Sequence, residues 1–188
     1  MAEIKWRSAA IDRLLVVDGA TTLTATTIES ISLQYRHILE LIAFSSLSAN
    51  KIIYEKAHRN YEKHWNAELL LRDIERLNPN FYPIPHYEVA SAEPGGIKDI
   101  VDVVDGVLSK TDFVEMYKKC GAIMHAANPF GRKKNYEYYI NSFPTWSAKI
   151  SKLLNQHSVK LYGEEKYWFI HMKEEQDDNV HYYEFVTL

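Results

Sequence analysis

The chain has a single cysteine, Cys120, so it cannot form a disulfide bond within itself. One thiolate cannot build a structural zinc site either, and the His-Glu-x-x-His motif of zinc peptidases is absent. No apolar stretch is long enough to cross a bilayer, and the first residues lack the pattern of a signal peptide. We therefore expect a cytoplasmic protein that does not contact a membrane.

The chain is also poor in glycine, and its net charge is not positive. The seven glycines form neither a Gly-x-x-x-x-Gly-Lys loop nor a Gly-x-Gly-x-x-Gly turn, and no Gly-x-Ser-x-Gly nucleophile elbow occurs. The net charge is −3, so any binding of nucleic acid would need a local basic patch. The sequence predicts no cofactor and no metal.

What remains is an ordinary globular composition, with 46% hydrophobic and 25% charged residues. The whole chain, residues 1–188, is predicted to form one domain of the α+β class, predominantly α. We expect an antiparallel helical bundle with a small C-terminal antiparallel β-hairpin. The helical core is predicted at about residues 8–157, with a short strand near residues 86–90, and the hairpin at about residues 158–188.

The longest helical pattern lies between residues 22 and 61, where apolar residues recur at three- and four-residue steps from Ile28 to Ile52. Shorter patterns predict helices at about residues 8–17, 65–77 and 146–156. In the second of these, the residues expected to face inward are Trp65, Leu69, Leu70, Ile74 and Leu77.

A further helix is predicted to begin at Ser109, which has Asp112 at the spacing of a capping box. It is expected to end in a polar cluster of His125 and Asn128, just before Pro129. In the C-terminal hairpin, a turn centred on Gln176 would place His171 opposite His181.

Arg36 and Glu40 interrupt the apolar pattern of the long helix, one turn apart. They fit a surface ion pair that flanks the apolar stripe. The apolar residues on both sides also fit a partly buried pair, which would need a functional reason because burying a guanidinium is unfavourable. Both interpretations stay open from the sequence alone.

His125 forms the second half of a possible site. Gly121, one turn earlier, is expected to leave one side of its imidazole open, and Asn128 to support it from the next turn. A position near a helix C-terminus favours the imidazolium form, which suits a general acid or a phosphate contact. The structural alternative is a histidine that donates one ring N–H to a carbonyl.

Two weaker patterns also carry polar chemistry. Arg59 is followed by Asn60 and, five positions after the arginine, by His64, a spacing that also arises by chance. Arg132, Lys133 and Lys134 precede Tyr136, so they could hold a phosphate backbone beside an aromatic ring that stacks on bases. The alternative for this second pattern is a solvated basic turn.

Taken together, these motifs resemble the HEPN superfamily. The resemblance rests on long antiparallel helices, on an arginine followed by a glutamate in residues 33–40, and on a late Gly-x-x-x-His from Gly121 to His125. The superfamily's Arg-polar-(x)-His motif is matched literally by Arg59, Asn60 and His64. The similarity covers about residues 22–128 and leaves the hairpin aside.

Members of this superfamily are compact helical bundles, often dimeric, and many are metal-independent ribonucleases of toxin–antitoxin and phage-defence systems. The resemblance implies that His125 or His64 is the acid or base and that Arg36 or Arg59 is the phosphate clamp, with Glu40 beside Arg36. RNA and a second copy of the chain are the implied partners.

A different class is a non-catalytic interaction module, for instance the accessory subunit of a defence or toxin–antitoxin pair. It explains the aromatic-rich C-terminal half as a partner surface and treats His125 as a packing residue. A small-molecule enzyme with a pocket at His125 is a third class, and no cofactor motif supports it.

Overall fold

The computed structural model describes residues 1–16, 23–58, 61–92, 98–163, 166–173 and 177–186. These residues form six α-helices, a 3-10 turn at Tyr61–Lys63 and five β-strands. In chain order they are α1 Ala2–Val16, α2 Ala25–Ala49, α3 Lys51–Ala57, α4 Ala67–Leu77, β1 Ile84–Ala90, β2 Lys98–Asp102, α5 Lys110–Met124, α6 Tyr136–Leu154, β3 Gln156–Lys160, β4 Lys166–His171 and β5 His181–Val186. The predicted class, α+β and mainly helical, is confirmed.

Helix α2 is the centre of the bundle, because α1, α4, α5 and α6 all pack against it. It begins at Thr24, whose hydroxyl accepts a hydrogen bond from the Thr27 N–H. Its apolar stripe is buried as the periodicity predicted as far as Ala43, and the buried part comprises Ile28, Ile31, Tyr35, Ile38, Leu39, Ile42 and Ala43. Ile52, the last residue of the predicted stripe, lies on α3 and is 72% exposed.

The predicted helix at residues 22–61 is broken at Asn50, which ends α2. The buried Asn50 amide donates to the Ser46 carbonyl at 2.9 Å and accepts from the Asn78 amide at 2.8 Å. Asn78 follows the last residue of α4, so this amide pair ties together the ends of two helices. A contact between residues this far apart in the chain leaves no trace in the helical periodicity.

Three other helix boundaries also differ from those predicted, and the first is the start of α1, at Ala2 rather than near residue 8. The capping box at Ser109 and Asp112 is confirmed, but α5 ends at Met124, and Asn128 lies beyond it in a turn. Helix α6 begins at Tyr136 rather than near residue 146. Asn135 starts it by accepting a hydrogen bond from the Tyr138 N–H, and the helix continues through Pro144.

The C-terminal hairpin is confirmed, with His171 opposite His181. The sheet is larger than this hairpin: five antiparallel strands lie in the order β2-β1-β3-β4-β5. The predicted strand near residues 86–90 is β1, and it joins β3 through the pairing of Ile84 with Ser158. The sheet therefore links the middle of the chain to its C-terminal part.

Two of the residues predicted to face inward on α4 are exposed. Trp65 lies just before the helix with 64% of its surface accessible, and Leu69 is 44% accessible, whereas Leu70 and Ile74 are buried. Among the residues that the structure describes, no helix is both long and apolar enough to span a membrane.

Candidate functional site

The guanidinium of Arg36 lies in a polar cluster between α2 and α5. Its Nε is 3.1 Å from Oε1 of Glu40, and its Nη2 donates to the Tyr117 hydroxyl at 2.7 Å. That hydroxyl donates to the same Glu40 oxygen at 3.2 Å. The side chains of Arg36 and Glu40 are only 19% and 17% exposed. Of the two interpretations open from the sequence, the partly buried pair is therefore the one observed.

Gly121 makes room for this guanidinium. A Cβ at Gly121 would lie 2.7 Å from Nη1 of Arg36, closer than carbon and nitrogen can pack. The missing side chain of Gly121 therefore accommodates Arg36 on the neighbouring helix. The role expected for Gly121 beside the His125 imidazole stays a prediction.

His37 belongs to the same cluster and was not among the predicted site residues. Its Nδ1 is 3.3 Å from Oε2 of Glu40, while Arg36 contacts the other carboxylate oxygen. The imidazole is 39% exposed, more than the other members of the cluster. The three-residue spacing from His37 to Glu40 on a helix was the available signal, since side chains at that spacing meet.

The N-terminus of α4 closes one side of the cluster. The backbone N–H of Ala67, the first residue of α4, lies close enough to the Tyr117 oxygen to lower the pKa of this tyrosine. Burial raises the pKa of Tyr117, and the carboxylate of Glu40 raises it further, although the Arg36 charge opposes this. Tyr117 therefore stays a neutral phenol that joins α2, α4 and α5 at one point.

His125 follows Met124, the last residue of α5, and lies four residues after Gly121 in the chain. Tyr117 contacts Glu40, and Gly121, four residues later on α5, contacts Arg36, four residues earlier on α2. The two helices therefore run antiparallel. Continuing the same pairing by four more residues, about 6 Å along the helix axis, places His125 level with Ser32 on α2. His125 is exposed and caps α5 in an extended conformation.

Asn128 does not support His125 from a further helical turn. Its side-chain oxygen accepts from the Phe130 N–H, and its carbonyl accepts from the Gly131 N–H. Both bonds are local to the turn after α5. The predicted helical position of Asn128 is therefore wrong, because the helix ends at Met124 before it reaches this residue. Its supporting role stays a prediction.

The literal HEPN-type match is described only at its histidine, since Arg59 and Asn60 lie outside the described residues. His64 has Nδ1 2.9 Å from the Tyr54 hydroxyl. The ring of His58 stacks on Tyr54 with centroids 4.4 Å apart. His64 also lines a separate cavity beside α4, which places it in polar, partly accessible surroundings.

The basic segment before α6 divides into two kinds of residue. Lys134 bonds to Glu29 on α2 at 2.7 Å, and the Tyr136 hydroxyl donates to the same oxygen at 3.0 Å. Those two bonds hold the pKa of Glu29 below its usual range. Lys134 and Tyr136 thus anchor the loop, whereas Arg132 and Lys133 are exposed to solvent.

A serine, a histidine and an aspartate also align on the sheet. Nε2 of His86 is 2.8 Å from the Ser158 hydroxyl, and Nδ1 is 2.8 Å from Asp102. Ser158 is only 7% exposed, and its strand is paired on both sides, with Ile84 and with Phe169. A substrate carbonyl could not approach this hydroxyl, so we interpret the alignment as structural.

The paired histidines of the C-terminal hairpin turn to different carboxylates. His171 has Nε2 3.5 Å from Glu88, and His181 has Nε2 2.8 Å from Asp177. Within the described part of the chain, no group of three or more His, Cys, Asp or Glu side chains is arranged to hold a metal ion.

No known protein family, curated protein or solved structure matches this chain. The resemblance to the HEPN superfamily stays a prediction. The cluster of Arg36, His37, Glu40 and Tyr117, which we call the Arg36 cluster, is the arrangement from which a function can be argued.

Proposed function

We propose that the protein is a metal-independent ribonuclease that cleaves single-stranded RNA at the Arg36 cluster. The observation that carries the proposal is the position of the Glu40 carboxylate, which contacts the Arg36 guanidinium with one oxygen and the His37 imidazole with the other. This arrangement fixes a permanent positive charge beside an accessible imidazole, the side chain that most often acts as a general acid or base.

The chemistry is the attack of a ribose 2′-hydroxyl on the adjacent phosphate. His37 takes the 2′-hydroxyl proton as the 2′-oxygen bonds to phosphorus, and the bond from phosphorus to the 5′-oxygen breaks. Arg36 stabilises the charge that develops on the phosphate oxygens. His125 donates a proton to the departing 5′-oxygen, so the products are a 2′,3′-cyclic phosphate and a free 5′-hydroxyl.

The surrounding surface fits an extended strand. From Glu40 to Glu29, α2 runs about 16 Å. The Arg36 cluster lies at one end, and the basic loop of Arg132 and Lys133 is tied to the other end through Lys134 and Glu29. Exposed basic side chains along such a path favour binding of a phosphate backbone.

The cellular role follows from the resemblance stated above. A ribonuclease of this kind belongs to toxin–antitoxin or phage-defence systems, works in the cytoplasm and acts as a homodimer. Each of these statements is part of the proposal and needs its own experiment.

The central test is cleavage of a fluorescently labelled single-stranded RNA in EDTA. We expect cleavage to persist in EDTA and to fall by about 100-fold or more in His37→Ala, His125→Ala and Arg36→Ala. His181→Ala and Arg13→Ala are matched controls on remote surfaces and should keep full activity. Full activity of folded His37→Ala and His125→Ala proteins would reject the proposal.

A second candidate is the non-catalytic accessory module, and the C-terminal sheet favours it. Among the described strands, β5 lies at an edge of the sheet, and its Tyr182 and Phe185 are 69% and 47% exposed. An open edge with aromatic side chains is a site where another chain can pair. An apolar groove adjoins it, lined by Met1, Val159, Leu161, Trp168, Ile170, Val180 and Tyr182.

Light scattering of the purified protein separates the two candidates when it is run beside the cleavage assay. The module is favoured if the protein is inactive and either forms a dimer or co-purifies with another chain. In that case Tyr182→Lys should break up the complex. EDTA-resistant cleavage that Tyr182→Lys leaves intact would favour the ribonuclease.

A further inference from the structure

A cavity of about 340 Å³ lies between the start of α4 and the buried Tyr54. Its walls are Tyr54, Lys63, His64, Trp65, Asn66, Leu69, Leu70 and Asp73. Its volume is at the lower end of the range for small-molecule sites, enough for one planar ring system. The residues of the Arg36 cluster do not line it, so this cavity is separate from that cluster.

One wall of the cavity is a stacking surface. Trp65 is 64% exposed although it is a large apolar residue, and Leu69 nearby is 44% exposed. Exposed tryptophans in nucleic-acid-binding proteins stack on unpaired bases. Lys63, also exposed, adds a positive charge at the same wall, as a nucleotide phosphate would require.

The cavity lining also includes a hydrogen-bond acceptor, Asp73. Within the described residues, the contacts of the Asp73 carboxylate are with Arg72 and Arg76, and both go to Oδ1. Oδ2 is left to accept from a ligand. The Asp73 side chain is 16% exposed, so a hydrogen bond to it would be partly shielded from water.

The cavity also contains a donor. Burial raises the pKa of Tyr54, so its phenol stays protonated. The hydroxyl can therefore donate a hydrogen bond to Nδ1 of His64, 2.9 Å away. A neutral imidazole that accepts at Nδ1 carries its hydrogen on Nε2. His64 then offers an N–H, and Asp73 offers a carboxylate, to the same ligand.

A carboxylate acceptor and an N–H donor match the hydrogen-bonding edge of a base, and the Trp65 ring can stack on its face. Guanine presents two N–H donors, on N1 and N2, next to the O6 acceptor. Adenine presents a lone pair on N1 where guanine has a hydrogen, and this lone pair would face the carboxylate. We propose that the cavity binds a guanine base, stacked on Trp65, with N1–H and N2–H donated to Asp73 and O6 accepting from His64.

The position of the cavity suits a substrate base next to the Arg36 cluster. His64 precedes Ala67 by three residues, about 10 Å of chain at most, and the Ala67 N–H lies beside Tyr117 of that cluster. This inference rests on the proposed ribonuclease function, because it names the base next to the bond that is cleaved. Cleavage would then follow guanosine in preference to adenosine.

Guanosine 3′-monophosphate and adenosine 3′-monophosphate are suitable probes, because neither has a bond to cleave and binding is measured without catalysis. In calorimetric titrations of the full chain, we expect the guanosine nucleotide to bind at least tenfold more tightly. Trp65→Ala should weaken its binding by roughly 5- to 100-fold, the range for loss of one stacked base. Asp73→Asn should remove the preference.

Arg36→Ala separates this inference from the proposed function. It should abolish cleavage and leave guanosine nucleotide binding unchanged, and Arg13→Ala should change neither. If the wild-type protein binds the guanosine nucleotide but cleaves no RNA, the ribonuclease proposal is rejected and the guanine site is retained. Equal affinity for both nucleotides, or binding of neither by the folded wild-type chain, would overturn the guanine site.

Discussion

The guanidinium of Arg36 fills the space that a side chain on Gly121 would occupy, with Nη1 2.7 Å from the position of a Cβ. Arg36 reaches that position while its Nη2 bonds to Tyr117 and its Nε to Glu40. The polar cluster therefore depends on a glycine in the middle of a helix, where glycine is otherwise unfavourable.

Gly121→Ala should separate stability from activity. Alanine favours the helix by about 0.5–1 kcal/mol, and the atom it would displace is the far end of a flexible side chain. We expect the free energy of unfolding to change by less than about 1 kcal/mol. RNA cleavage should fall at least tenfold, because Arg36 must leave its bond with Tyr117. Urea denaturation and the cleavage assay measure the two effects; a strongly destabilised variant would show that Arg36 cannot move aside.

Ser32→Ala should stabilise the protein. Ser32 is fully buried on α2, and its hydroxyl has no hydrogen-bond partner among the described residues. Removing an unsatisfied buried hydroxyl is favourable, and alanine is the better helix former, so the gain should be about 1 kcal/mol. Thermal or urea denaturation tests the sign. A clear loss of stability would mean that the hydroxyl has a partner, such as a buried water.

His157→Asn should remove much of the acid sensitivity of the fold. His157 is fully buried, and burial lowers its pKa to about 4, with further lowering by His86 and His171. Its Nδ1 is 2.8 Å from the Leu154 carbonyl, a hydrogen bond that an asparagine amide can replace.

The sign follows from comparing the folded pKa with the ordinary value of 6.5. The unfolded chain binds the proton more readily, so stability is full above pH 6.5 and is lost as the pH falls towards 4. Over that window the wild-type protein should lose about 3 kcal/mol more than the asparagine variant. Urea denaturation at several pH values measures this; parallel curves for the two proteins would contradict the assignment.

The basic loop should contribute to RNA binding through two of its three cations. Lys134 is occupied by Glu29, whereas Arg132 and Lys133 are exposed. Lys133→Ala and Arg132→Ala should each reduce the slope of log affinity against log salt by about 0.7, the value for one contact with a single strand. Lys134→Ala, the matched control, should change the slope little. Filter binding at several salt concentrations gives the slopes, and a larger effect at Lys134 would show that RNA displaces Glu29.

The sequence by itself determined the features that depend on near neighbours. The three- and four-residue repeat from Ile28 onward specified α2 and its buried face. The four-residue capping pattern of Ser109 and Asp112 specified the start of α5. The opposition of His171 and His181 followed from the length of one turn. Each of these is fixed by backbone hydrogen bonds and side-chain spacing within a few residues, which a linear pattern records.

Only the tertiary structure decided which distant side chains share a site. The Asn50–Asn78 amide pair, the Tyr117–Glu40 hydrogen bond and the packing of Arg36 against Gly121 join residues 28 to 85 positions apart. Such contacts depend on volume and hydrogen-bond geometry between packed helices, which periodicity does not encode. For that reason the sequence named Arg36 and Glu40 but could not add Tyr117 to them, whereas the spacing of His37 from Glu40 was a local signal.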